Sequence, residues 1–311
     1  MPDLILHQYD GSPFSEKVRL VMGCKRLRWK AVSIPVIAPK PDLVTLTGGY
    51  RRTPVLQIGA DVYCDSALIL RVLDRLQPAP PLYPTAEPLA ETLAAWCDST
   101  LFWTMIPVAM QPAGMAHVFA SAPPSAVKAF LADRATFTAG MRRLAGADAA
   151  AHFAVYLDRF ERRLADGRRF LFGDAPTVAD FSLAHNVWYV WRIPPVAGVL
   201  EPLPSLRAWF ERMRAFGHGT REELDADGAI QVAAASREYA PPIGFDASQG
   251  FAQGETVTVA PTDYGIDPVA GRLVGLTRDE VAVERVDERA GRVVVHFPRI
   301  GFQVRKQETS T

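Results

Sequence analysis

The spacing of apolar residues along this chain changes character twice, and each change marks a boundary. From Leu4 to Tyr9 the run Leu-Ile-Leu-His-Gln-Tyr reads as a buried strand that ends at Asp10-Gly11. Ser12-Pro13 then opens a helix, since serine is a preferred N-cap and proline is favoured at the first helical position. Val18, Val21 and Met22 recur at helical spacing, and Ala31 to Ile34 reads as a second strand. After a proline-rich loop, Thr53 to Ile58 forms a third strand, turned by Gly59-Ala60-Asp61 into Val62-Tyr63-Cys64. Asp65-Ser66 starts a helix with Leu68, Ile69, Val72, Leu73 and Leu76 as its apolar positions. Strand, helix, three strands and a helix predict a compact α/β domain over residues 1–80.

Five prolines between Gln77 and Pro88 mark a linker, and beyond it the pattern turns helical. Leu89 to His117 is helical but bent by Pro107 and Pro112. Ala126 to Leu144, Ala149 to Ala165, Val178 to Trp191 and Leu206 to Phe216 follow. An all-helical domain is expected over residues 88–218, with 219–250 as a connecting segment. From Phe251 short alternating runs take over: Glu255 to Val259, Gly271 to Leu276, Val281 to Val286, Arg292 to Phe297 and Phe302 to Arg305. They predict a small all-β barrel or sandwich over residues 251–311.

Composition narrows the possible functions. Apolar residues make up 49% of the chain, which argues against disorder. Lys plus Arg and Asp plus Glu balance at 34 each, so there is no electrostatic case for nucleic acid or an anionic membrane as partner. Acids slightly outnumber bases from Pro241 onward, which opposes a nucleic-acid face on the β region. No apolar run approaches the roughly 18 residues of a membrane span, and the opening residues lack the features of a signal peptide. Cys24, Cys64 and Cys97 make neither an even disulfide framework nor a CxxC pair, so a reducing cytoplasm is expected. Cys64 reads either as an inert buried thiol or as a redox-modifiable one. None of the six histidines falls in a metal-ligand spacing, so no metal is expected. Walker A loops and G-x-S-x-G elbows are absent.

Four local motifs carry chemistry or folding information. Ser12-Pro13-Phe14-Ser15 joins the first strand to the first helix. Thr53-Pro54 heads a strand and follows Arg51 and Arg52. Asp65-Ser66 opens a helix directly after a hairpin. In Pro176-Thr177-Val178-Ala179-Asp180-Phe181-Ser182, Thr177 and Asp180 stand as the N-cap and N3 pair of a capping box, a folding element. Together with the domain order, these motifs resemble the glutathione transferases over residues 3–217.

The resemblance implies a thioredoxin-like first domain that binds glutathione as co-substrate, and a homodimer. Ser12 would lie beside the glutathione sulfur, with Phe14 in the same motif and Tyr9 as the alternative thiol activator. Thr53–Pro54 would be cis, with the Thr53 backbone pairing with the tripeptide like an added strand. Arg51 and Arg52 would face the glycyl carboxylate. Asp65 and Ser66 would grip the γ-glutamyl end, whose ammonium and carboxylate need an anion and donors respectively. Trp96, Phe102, Trp103, Met105 and Met110, on the helix after the linker, supply an apolar surface for an electrophile, with Asp98 and Arg71 at its edge.

The chemistry at Ser12 can be weighed directly. Lowering a thiol pKa from about 8.5 by two units requires about 2.7 kcal/mol. A helix N-terminus contributes about 0.3–1 kcal/mol, and a hydroxyl hydrogen bond to a charged acceptor about 1.5–3 kcal/mol. Together they suffice for a thiolate at neutral pH. Ser12 also reads as a plain helix cap, a role that competes for the same hydroxyl, and Tyr9 reads equally as a packing aromatic. The expected function is a glutathione transferase that directs the thiolate at a small apolar electrophile. The alternatives are a non-catalytic binding or regulatory protein and a glutathione-dependent thiol–disulfide reductase, which would need a cysteine where Ser12 stands.

Overall fold

Leu4 and Leu6 point to one side of the first strand and Ile5 to the other, and all three are buried. Burial on both faces requires layers above and below, and the fold supplies them. The computed structural model describes residues 2–237 and 239–307. The last four positions of the expected β region therefore lie outside the described residues.

The N-terminal α/β unit runs β1 (Ile5–Gln8), α1 (Pro13–Cys24), β2 (Arg28–Ser33), α2 (Pro41–Thr47), β3 (Val55–Ile58), β4 (Asp61–Cys64) and α3 (Ser66–Leu76). β1 pairs with β2 in parallel and with β3 antiparallel, and β3 turns back on β4. Helix α2 lies in what the sequence shows only as a proline-rich loop. Pro41 occupies its first turn, and Gly48, at φ +77°, ends it in the left-handed conformation.

The helical unit comprises α4 (Leu89–Trp96), a π-helical turn (Cys97–Leu101), α5 (Phe102–Ala109), α6 (Pro112–Val118), α7 (Pro124–Phe137), α8 (Gly146–Leu164), α9 (Val178–Trp191), α10 (Pro194–Ala197) and α11 (Pro204–Arg214). One core joins it to the sheet, with Leu6, Trp29 and Leu56 from strands, Val18 and Leu73 from α1 and α3, and Phe181 and Trp209 from the helices. Helix α1 runs close to the turn after α11, where a Cβ on Gly23 would lie 2.1 Å from the Gly217 carbonyl oxygen. Gly23→Ala is therefore expected to destabilise the protein by about 2 kcal/mol, read as a lower urea midpoint at unchanged slope.

The rest of the chain is β5 (Thr220–Glu223), α12 (Ala226–Ala235), β6 (Thr256–Pro261), β7 (Val269–Leu276), β8 (Glu280–Asp287), β9 (Gly291–Pro298) and β10 (Phe302–Lys306). The strand-rich C-terminal region expected from the sequence is present, and it is joined to the first sheet. β9 pairs in parallel with β4, giving a ten-stranded order of β10-β6-β7-β8-β9-β4-β3-β1-β2-β5 among the described residues. The segment expected only to connect supplies β5, which pairs with β2 at the opposite end, and α12. A second core unites Ile5, Val55 and Val62 with Leu46 of α2, Ile230 of α12, and Val283 and Val295 of the late strands. β9 thus covers what would otherwise be the open edge of β4.

Candidate active site

Helix α1 begins where β1 ends, so its N-terminal amides open at the edge of the sheet next to the domain seam. Ser12 is the N-cap, with an extended backbone, and its Oγ accepts the Ser15 backbone N–H at 3.2 Å. The Ser12 N–H donates to the Tyr9 carbonyl at 3.0 Å, which sets the Tyr9 phenol near the Ser12 hydroxyl. Burial pushes the Tyr9 pKa up against the pull of Arg134, Ser12 and Arg192, so the phenol stays protonated at neutral pH and can donate. The two candidate thiol activators therefore stand together at one helix end.

That end is cationic. Lys40 Nζ lies 6.0 Å from the Tyr9 ring and donates to Thr53 Oγ1 at 3.1 Å. Burial, helped by the Arg134 charge, lowers the Lys40 pKa to about 8. Arg192 donates to the Gly11 carbonyl at 3.4 Å. Asp133 of α7 ties this group together by accepting from Arg51 at 3.0 Å, from Arg134 at 2.6 Å and from the Ala38 N–H at 3.2 Å. Positive charge around a helix N-terminus favours an anion there.

The Thr53–Pro54 peptide is cis. One hairpin later Asp65 caps α3, accepting from the Ala67 N–H at 2.9 Å with a backbone φ of +75°, an uncommon conformation for any residue but glycine. Burial raises the Asp65 pKa, opposed by Arg52, whose Nη1 lies 3.9 Å from Asp65 Oδ2. Ser66 Oγ accepts from Lys17 Nζ at 3.3 Å. Lys17 is fully buried and also donates to Asp98 at 2.5 Å, and Asp98 bonds His185 Nε2 at 2.9 Å. Burial pushes the Asp98 carboxyl up, but Lys17 and His185 more than offset it and hold the group ionised. Burial lowers the His185 pKa despite Asp98, so a neutral imidazole donates its Nε2 proton. Among the described residues, no group of three or more His, Cys, Asp or Glu side chains is placed to hold a metal ion. No single described helix is long and apolar enough to cross a membrane.

The sequence matches the family described as glutathione S-transferase, N-terminal domain, over residues 6–81, and the one described as glutathione S-transferase, C-terminal domain, over 130–212. Among solved structures, a GST-like protein from Pseudomonas syringae is 39% identical. The match spans 98% of this chain and 100% of that one, with a TM-score of 0.81. The chain belongs to the glutathione transferase family. Its fold is also shared by a glutathione S-transferase from Rhodospirillum rubrum, at 23% identity and a TM-score of 0.52, over 68% of this chain and 88% of that one. The theta-class glutathione S-transferase of Xanthomonas axonopodis pv. citri, solved with glutathione bound, is 22% identical at a TM-score of 0.50, over 71% of this chain and 98% of that one. No functionally curated protein matches the sequence. Neither family match reaches the strands from β6 onward, whereas the Pseudomonas syringae protein is alike over nearly the whole chain.

Within this glutathione transferase fold, the five apolar residues expected to line one acceptor surface are dispersed. Trp96 turns to α8, edge-on to Tyr156 at 4.9 Å, and lines a separate cavity of about 310 Å³ with Leu93, Phe160 and Phe172. Met105 is fully buried in the core. Trp96 and Met105 are therefore not placed at the cleft. Seven residues apart, Trp96 and Trp103 would share a face of an unbroken α-helix. The π-helical turn between them lodges an extra residue and rotates the succeeding helix by about 100°. Phe102 packs against Phe14 at 4.7 Å, and Phe14 in turn against His185, so both rings fill the domain seam. Trp103 meets Tyr264 at 4.9 Å, and Met110 Sδ accepts from the Tyr189 hydroxyl at 3.6 Å. Arg71 pairs with Glu91 over the Tyr83 ring, away from Ser12.

Sequence reasoning missed Lys17, Lys40, Asp133, Arg134, His185 and Arg192. Each lies outside the motifs, spread over α1, the loop before α2, α7 and α9 with its C-cap, and none carries a local signal. Asp263 and Tyr264 were missed for the same reason, since they arrive from the far end of the chain.

Proposed function

We propose that this chain binds glutathione along the α1 terminus, the Thr53–Pro54 edge and the Asp65–Ser66 turn, and activates its thiolate for attack on a small apolar electrophile. The observation that carries this reading is the convergence of two hydroxyls, Ser12 and Tyr9, with Lys40, Arg134 and Arg192 at one helix N-terminus. The tripeptide sulfur would rest there as an anion, held by a hydroxyl, a protonated phenol and oriented amides. The thiol proton goes to solvent. The sulfur lone pair forms the new bond to an electrophilic carbon, and the leaving group departs with its electron pair. Asp65 suits the γ-glutamyl ammonium, with the Ser66 hydroxyl alongside for the α-carboxylate. Trp103 and Met110 offer apolar contact to the electrophile. The same reading has the enzyme act as a homodimer, which sedimentation equilibrium would test.

Ultraviolet difference spectra of the glutathione complex test the reading. A thiolate band near neutral pH is expected with the wild-type chain. Ser12→Ala should remove most of it and lower kcat about ten- to a hundredfold, equivalent to about 1.4–2.7 kcal/mol. Absence of glutathione binding in calorimetry overturns the reading. Binding without the band would favour a non-catalytic ligand-binding role.

A further inference from the structure

Residues 262–268 link β6 to β7, yet they pack on the candidate active site and bridge both of its walls. Tyr264 is buried, with its ring edge-on to Trp103 at 4.9 Å and to Phe137 at 5.2 Å. Gly265 N–H donates to the Phe137 carbonyl at 2.9 Å. Arg51 Nη1 lies 3.7 Å from Asp267.

The decisive contacts fall on Arg52. Its Nη2 donates both to Asp263 Oδ1 and to the Tyr264 carbonyl oxygen, and its guanidinium carbon lies 3.8 Å from the centre of the Tyr264 ring. Its Nη1 faces Asp65. Its Nε is buried and has no hydrogen-bond partner. A free carboxylate meets arginine in fork geometry, accepting from two N–H groups at once. Asp263 takes only Nη2 and leaves Nε unsatisfied, so the loop fills this carboxylate receptor incompletely. An unpaired buried donor is costly, and a ligand carboxylate that satisfied both nitrogens would remove that cost.

We propose that Asp263 and Tyr264 select what enters the site: they occupy Arg52 as a ligand carboxylate would, so glutathione binds only by displacing residues 262–268. The inference rests on the glutathione reading above and adds to it a competitor built into the chain. A ligand without a carboxylate for Arg52 cannot evict the loop, and the apparent affinity of one that can is reduced by the fraction of molecules with the loop open.

Two variants weaken the closed loop by independent routes. Asp263→Ala removes the competing carboxylate from a side chain that is partly exposed. Gly265→Ala leaves Arg52 and its partners intact, but its Cβ would sit 2.5 Å from the Phe137 ring at a φ of +52°, so the closed loop no longer fits. Calorimetric titration of glutathione into the full chain is expected to show binding about fivefold to tenfold tighter for both variants than for the wild type. Saturating glutathione should also speed hydrogen exchange at the Gly265 amide in the wild type. Wild-type binding that neither variant tightens, or Gly265 exchange that glutathione leaves unchanged or slows, overturns the competition and leaves the glutathione reading standing. No binding by the wild type or either variant overturns both.

Discussion

Replacing His296 with alanine is expected to destabilise the chain by about 4 kcal/mol, because it leaves two carboxylates buried without their shared cation. His296 sits on β9 at the seam with β4. Its Nδ1 bonds Glu280 at 2.9 Å and its Nε2 bonds Asp61 at 3.0 Å, and the ring stacks on Tyr63. Both ring nitrogens face carboxylates, which only the imidazolium satisfies. Burial alone would lower the His296 pKa, but the bonds to Asp61 and Glu280 more than reverse this and raise it above 6.5.

This raised pKa fixes the sign of the pH dependence. A folded-state pKa above the unfolded value contributes stability that is complete below about pH 6.5 and is lost as pH rises through the folded pKa. Burial would raise the Glu280 pKa, but the His296 bond and charge, with Arg75, bring it below 4.5, so its share is lost on the acid side instead. The seam is therefore strongest between about pH 4.5 and 6.5. Urea denaturation across pH 5 to 9 should show stability falling on the alkaline side in the wild type, with that part of the slope absent in His296→Ala. A pH-independent difference between the two chains would refute the charged seam.

Asp180→Ala is expected to cost about 3–4 kcal/mol. The carboxylate is fully buried at the start of α9, where it accepts the Leu171 N–H at 2.8 Å, the Thr177 N–H at 2.8 Å, the Thr177 hydroxyl at 3.0 Å and Trp209 Nε1 at 2.9 Å. It caps its own helix and also pins the loop before that helix and the indole of α11. Alanine leaves three buried N–H donors unpaired, whereas Thr177→Ala, which removes only a cap, should cost about 1 kcal/mol. Equilibrium unfolding of the two variants would measure the gap. Equal losses would mean that Asp180 is no more than a cap.

Capping and periodicity are local, and the features they govern could be read directly. Ser12-Pro13 started α1, Asp65 capped α3, and the Thr177–Asp180 pair marked α9, because each depends on residues within one helical turn. The sequence motif alone could not show that Asp180 also holds Trp209, a contact across 29 residues. It could not place β9 against β4 either. A strand that alternates correctly will pair with any free edge, and the choice rests on partners such as Asp61 and His296, which lie 235 residues apart.

The site divides in the same way. The candidate residues within motifs could be named from their order alone: Ser12, Thr53, Pro54, Asp65 and Ser66. Its electrostatics come from Lys40, Arg134 and Arg192, which only packing brings to one helix end, and its roof comes from Tyr264. Trp96 and Trp103 show how sharply this limit falls. Their spacing indicates one face, and a single π-helical turn parts them, so that Trp96 meets Tyr156 of α8 and Trp103 meets Tyr264. Short-range geometry is written in neighbouring residues. Which distant groups share a cleft is decided by the burial of the whole chain at once.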